Sequence, residues 1–120
     1  MSDLYQDTGK VSATTTASMV TVPLSAMELD LIGTGGLAIT CLNTGGTNAA
    51  SWQVVASNDD FTADADPTAL VVVKAAAPIA HGATDSYAVD HSHFRWYAVQ
   101  VADGSSGSHT TVQVHGFTRN

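Results

Sequence analysis

Residues 94–101, Phe-Arg-Trp-Tyr-Ala-Val-Gln-Val, are the densest run of aromatic and β-branched side chains in the chain. Such residues lose rotamer freedom in a helix and pack well on a pleated, half-buried surface. The run therefore predicts the central strand of an all-β domain. Its counterpart is residues 51–57, Ser-Trp-Gln-Val-Val-Ala-Ser, which contain the only other tryptophan. The two-residue period of a strand places Trp52, Val54 and Ala56 on one face. It sends Tyr97, Val99 and Val101 toward the core, and leaves Arg95 as a charge at the start of an apolar strand.

The rest of the chain reads as short strands separated by turn clusters. Residues 1–18 read as an extended N-terminal arm, and residues 19–120 as a β-sandwich domain. Residues 11–22, rich in Val and Thr, predict one or two strands ending at Pro23. Residues 28–32 predict a short strand, and 37–42 another. The Gly33-Thr34-Gly35-Gly36 stretch between them predicts a hairpin turn, and residues 43–48 a second turn of the same kind. Residues 70–75 are apolar except for Lys74 and predict a core strand, ended by Pro78. Residues 86–89 and 110–117 predict the remaining strands. About eight strands at roughly 8–12 residue spacing, with no helical period, define an antiparallel β-sandwich or jelly roll.

At 120 residues the chain is one domain of ordinary size. Only 12% of its residues are charged, against roughly 25% in an average soluble domain. The formal net charge is −7, and Lys10, Lys74, Arg95 and Arg119 are the only Lys and Arg residues. Scattered cations do not make the basic patch that phosphate-backbone recognition needs. Nucleic acid is therefore not an expected partner, and neither is an anionic membrane surface. Residues 1–10 lack the apolar core of a secretory signal, and no window approaches a membrane-spanning helix. The single cysteine, Cys41, lies in an apolar run and reads as a buried small hydrophobe.

Catalytic motifs are not evident. The Gly-rich turn at 33–36 matches neither the P-loop nor the dinucleotide fingerprint. No serine sits in a Gly-x-Ser-x-Gly elbow. Asp59, Asp60, Asp64 and Asp66 read as a solvated acidic loop, with calcium as the sharper alternative. His91 and His93 share a strand face if that segment is extended. They could begin a metal site, but nothing fixes a third ligand. No cofactor and no metal is therefore expected.

Three segments carry a family resemblance. They are Ala-Ser-Trp-Gln-Val-Val-Ala-Ser-Asn-Asp at 50–59, Phe-Arg-Trp-Tyr-Ala-Val-Gln-Val-Ala-Asp-Gly at 94–104, and Thr-Thr-Val-Gln-Val-His-Gly-Phe at 110–117. Together they resemble small β-sandwich virion proteins of tailed bacteriophages, of the capsid decoration or cement type. The Ser-Asn-Asp and aromatic-Arg segments are also similar to discoidin-like binding sandwiches, from which this chain departs in its short length and lack of a cysteine pair.

The phage resemblance implies a non-enzymatic structural protein that bridges capsid subunits. It implies a major capsid protein or other virion protein as partner, and a homo-oligomer, with a trimer favoured. It places the protein on the capsid surface, made in the host cytoplasm. Leu4, Tyr5 and Val11 of the arm, together with Arg95, are the expected interface residues. Two alternatives remain open: a carbohydrate-binding or host-adhesion module using Trp52, Trp96, Tyr87 or Tyr97, and a cupin-like metal enzyme using His91 and His93.

Overall fold

A computed structural model of the chain describes residues 5–22, 27–28, 35–59, 70–104 and 108–119. Among these residues there are nine strand segments: β1 (Tyr5–Thr14), β2 (Val20–Thr21), β3 (Met27–Glu28), β4 (Gly36–Asn43), β5 (Ala50–Ser57), β6 (Val71–Ile79), β7 (Thr84–Val89), β8 (Trp96–Asp103) and β9 (Thr111–Arg119). They build two antiparallel sheets. One has the order β1-β9-β4-β7, and the other β2-β8-β5-β6 with β3 also on β8. The short β2 and β3 meet β8 at different points, Val101 and Gln100 for one, Tyr97 and Trp96 for the other. They therefore share a single edge position, and the sandwich has four positions in each sheet. Counted by position, the orders are 1-8-3-6 and 2-7-4-5, which is the jelly-roll arrangement.

The period-two pattern becomes the core. Leu37, Ile39 and Cys41 of β4 and Val112 and Val114 of β9 point inward from the first sheet, and all are buried. From the second, Trp52, Val54 and Ala56 of β5 face Tyr97, Val99 and Val101 of β8 across the ladder. The expected central strand is thus present as β8, flanked by β5 on one side and β2 and β3 on the other. Phe94, just ahead of β8, packs edge-on against Tyr97, with ring centroids 6.5 Å apart and an interplanar angle of 83°.

Several local expectations are corrected. The turns at 33–36 and 43–48 are not hairpins. β3 and β4 lie in different sheets, as do β4 and β5, so both connections pass from one layer to the other. Residues 29–34 lie outside the described residues. The true β-hairpin partners are β5 and β6, paired from Ala50–Ile79 to Ala56–Val71. The 70–75 run is not a core strand. It opens β6, an edge strand, where Leu70, Val71 and Val72 remain exposed. Pro78 does not end this strand, which continues to Ile79. An edge strand tolerates proline because the missing N–H faces no partner. Of the expected arm, residues 5–14 are extended and lie along β9 as the edge of the first sheet, with a bulge between Asp7 and Lys10.

One end of the sandwich is closed by a polar network rather than by apolar packing. Buried Asn43 donates from Nδ2 to the carbonyls of Asn48 (2.8 Å) and Ile79 (3.0 Å). Its Oδ1 accepts from the Gly45 amide (3.0 Å) and the Thr110 hydroxyl (3.0 Å). The side-chain amide is fully used, and it ties β4 to the β4–β5 connection, to the end of β6 and to the β8–β9 connection. Next to it, Thr15 Oγ1 accepts from the Thr110 amide and donates to Asp103, joining the two sheets. A Cβ at Gly45 would overlap the Thr110 hydroxyl, so glycine is required there for the turn to close on the network. Asn43→Ala would orphan these buried groups. It is expected to cost about 3 kcal/mol, read as a lowered urea midpoint with an unchanged slope.

Candidate functional site

At the open side of the sandwich, β6 and β7 are the edge strands of the two sheets. Trp52, fully buried on β5, crosses the gap between the layers. Its Nε1–H donates to Asp85 Oδ2 on β7 at 2.9 Å. Lys74 on β6 lies over the indole ring, 4.5 Å from its centroid, and 3.5 Å from the same carboxylate. Asp85 is placed by pairing with Cys41 on β4, whose side chain faces the core. These three groups form a clamp. The indole supplies buried area, the carboxylate satisfies its N–H, and the ammonium neutralises the carboxylate while stacking on the ring.

The electrostatics follow from this geometry. The hydrogen bond from Trp52 holds the Asp85 carboxyl below its ordinary value, helped by the Ser86 amide and the Lys74 charge. Asp103 is lowered by its contact with His109 Nδ1 at 2.9 Å and by Thr15. Asp7 is lowered by the Gly9 amide and by His115. Burial pushes the Cys41 thiol up to about 12, with the Asp85 charge adding to the rise. A thiol so disposed is a packing group and not a nucleophile.

The sequence-derived candidates fall in different places. Arg95 is exposed, just ahead of β8. Val11 on β1 is half-buried and packs against the core. The Tyr5 backbone pairs with Arg119, and Leu4 lies outside the described residues. His91 and His93 are exposed in the β7–β8 connection. Among the described residues no group of three or more His, Cys, Asp or Glu side chains is placed to hold a metal. Asp59 is half-buried, while Asp60, Asp64 and Asp66 lie outside the described residues. Trp52 and Tyr97, offered as exposed sugar-binding aromatics, are instead buried; Trp96 and Tyr87 are half-buried. Large aromatics on core-facing strand positions are taken by packing first.

Two surface features were missed. One is the exposed apolar start of β6, with Val72 51% exposed. The other is a groove on the outer face of the first sheet, about 390 Å³, bordered by Phe117, Arg119 and Asp90. The edge position of β6 depends on topology, which the local pattern does not encode. Outward-facing Phe117 could have been found by counting parity from Val112 and Val114.

No protein-family model matches the chain, and no curated protein matches it in sequence. Solved structures do share its fold. One is a chain of the disulfide-linked pili formed by Bacillus endospore appendages, with TM-score 0.52 and 17% identity over 97% of this chain and 86% of that one. A second is the Yersinia pseudotuberculosis-derived mitogen, with TM-score 0.53 and 8% identity over 92% and 84% of the two chains. A third is a chain of infectious bursal disease virus, Gx strain, with TM-score 0.51 and 12% identity. There the match covers 95% of this chain but only 30% of the viral one. At these identities the likeness is one of fold.

The three depressed carboxyls set an acid limit. A carboxyl with a lowered native value contributes stability above its unfolded value, and the contribution is lost as pH falls through the native one. Urea midpoints are therefore expected to drop as pH falls through and below the ordinary carboxylate range, about pH 4. In Trp52→Phe, which keeps a large ring but removes the N–H, the drop is expected to be smaller. An equal drop would show that Asp85 is not held by the indole.

Proposed function

We propose that the chain is a non-enzymatic structural protein of a virion, which decorates a capsid and bridges neighbouring capsid subunits. The observation that carries this reading is the run Leu70-Val71-Val72, exposed where the chain enters the edge strand β6. An edge strand presents unpaired backbone groups, and native proteins usually blunt it with bulges, lysine or proline. β6 has those devices farther along, at its register shifts, Lys74 and Pro78. Its first residues carry neither lysine nor proline and are apolar. Exposed apolar surface of this kind marks a contact site.

The phage-decoration resemblance of segments 50–59, 94–104 and 110–117 supports the same reading, and the jelly-roll fold is compatible with it. In the proposed mode, β6 docks on the lattice and Arg95 adds a charged contact at the rim. Leu4 and Tyr5 would contribute from the N-terminal arm, and the protein acts as a homo-oligomer, with a trimer favoured. Binding only the assembled shell stabilises it by linkage. Modest contacts suffice because many copies act on one lattice.

Adding the purified protein to undecorated heads of its phage tests the reading. The expected result is stoichiometric binding and greater resistance of the heads to heat. Val72→Glu is expected to weaken binding about tenfold or more while the isolated protein keeps its melting temperature. Absence of binding, or full binding by the glutamate variant, would count against the proposal.

A further inference from the structure

We infer that the groove on the outer face of the β1-β9-β4-β7 sheet binds a small zwitterion, an amino acid or dipeptide with free ends, with its carboxylate at Arg119 and its ammonium at Asp90. This binding is separate from lattice docking and does not rest on it.

The register brings the two charges to one groove. Arg119 on β9 pairs with Gly36 on β4. Leu37 pairs with Val89 on β7, so Asp90, the next residue, comes level with Gly36. The end of β7 closes in there: a Cβ at Gly36 would lie 2.8 Å from the Val89 carbonyl oxygen and 3.0 Å from that of Asp90. Arg119 and Asp90 therefore flank Gly36 from opposite sides, about 10 Å apart at the usual spacing of two strand positions. In the next row Ala38 pairs with Ala88. Both are exposed, and their one-carbon side chains keep the floor low. The groove measures about 390 Å³ and is lined by both charged residues, at the small end of the ligand-site range. The other lining residues have no polar side chain, so Arg119 and Asp90 supply the side-chain polarity of the groove.

The protein itself uses neither charge. Among the described residues, the Arg119 and Asp90 side chains make no hydrogen bond or ion pair. The chain has 11 Asp and Glu against 4 Lys and Arg, so an arginine without a partner is not explained by a shortage of acids. Any exposed pairing between the two would be worth little, and a ligand displaces it at small cost. A simple anion at Arg119 would feel Asp90, and a simple cation at Asp90 would feel Arg119. A neutral polyol would bond to both but carries no opposite charge to either. A zwitterion matches both ends at once, and hydrogen bonds between oppositely charged groups are the shorter and stronger kind. The guanidinium donates a parallel pair of hydrogen bonds to the ligand carboxylate. The ligand ammonium donates to the Asp90 carboxylate. An extended residue spans about 3.5 Å and a hydrogen bond about 2.8 Å. One or two residues with a bond at each end therefore bridge a gap of roughly 10 Å. The low alanine floor leaves room for a small apolar side chain.

The test is an amide-resonance titration of the full chain with alanine and Ala-Ala, and with Ala-Ala acetylated at its amine, amidated at its carboxyl, or both. A shallow groove and a small ligand predict a Kd on the order of millimolar. Alanine or Ala-Ala is expected to give saturable shifts confined to residues 36–38, 88–90 and 117–119. Acetylation and amidation are each expected to weaken binding about tenfold. Asp90→Asn is expected to remove the difference between free and acetylated ligand, and Arg119→Gln the difference between free and amidated ligand. Both positions are exposed, so neither substitution disturbs the core. The inference is overturned if neither free ligand shifts these resonances up to about 50 mM, well past the expected range. It is also overturned if the doubly blocked dipeptide or methyl glucoside binds as tightly as the free ligand, or if the acetylation effect persists in Asp90→Asn. Shifts caused by phosphocholine and by neither alanine ligand would overturn it too, by making the groove a headgroup site.

Discussion

The sandwich depends on Trp52. Two four-position sheets leave an open side between β6 and β7, and the indole fills it from β5. Truncating a buried tryptophan costs about 3–5 kcal/mol, a large share of the ~5–15 kcal/mol that holds a domain folded. Burying an indole also requires a partner for its N–H, which Asp85 supplies from the opposite sheet. The carboxylate in turn sits beside Lys74, so the apolar and polar terms are satisfied at one point. At one end of the sandwich, Asn43 does comparable work without apolar area, by using every donor and acceptor of its amide on two connections and the end of β6.

This division of labour decides which surfaces remain for other molecules. The inner faces are consumed by packing, which takes Trp52 and Tyr97 out of reach of a ligand. What remains is the edge of one sheet and the outer face of the other. The edge is apolar at the start of β6, and the outer face is notched beside Phe117. The first is the surface proposed above as the contact with a protein lattice.

The strands were legible in the sequence wherever one face is buried and the other wet. β9 alternates, and the inward residues of β5 and β8 are those the two-residue period selects, although Val55, Ala98 and Ala102 on the opposite parity are buried too. The all-β class and the absence of helical periodicity follow from the same signal. Connectivity was not legible. Gly33–Gly36 and Asn43–Asn48 have hairpin composition, yet each links different sheets, because turn residues report a change of direction and not the destination. The run at 70–75 misled for a related reason: a stretch of valines looks the same at the edge of a sheet as at its centre. Phe117 and Arg119 could be assigned outward by parity, but their meeting with Asp90 depends on the β4–β7 register, which no local pattern contains.

The central claim is that the exposed start of β6 is the surface by which the protein docks on a viral lattice. Hydrogen–deuterium exchange, comparing free protein with protein bound to undecorated heads, addresses it most directly. Amides of an edge strand exchange readily when nothing pairs with them. The account predicts slowed exchange on binding at residues 70–73, with little change in β5 and β8, which are already protected in the core. Binding that leaves residues 70–73 exchanging as in the free protein would contradict it.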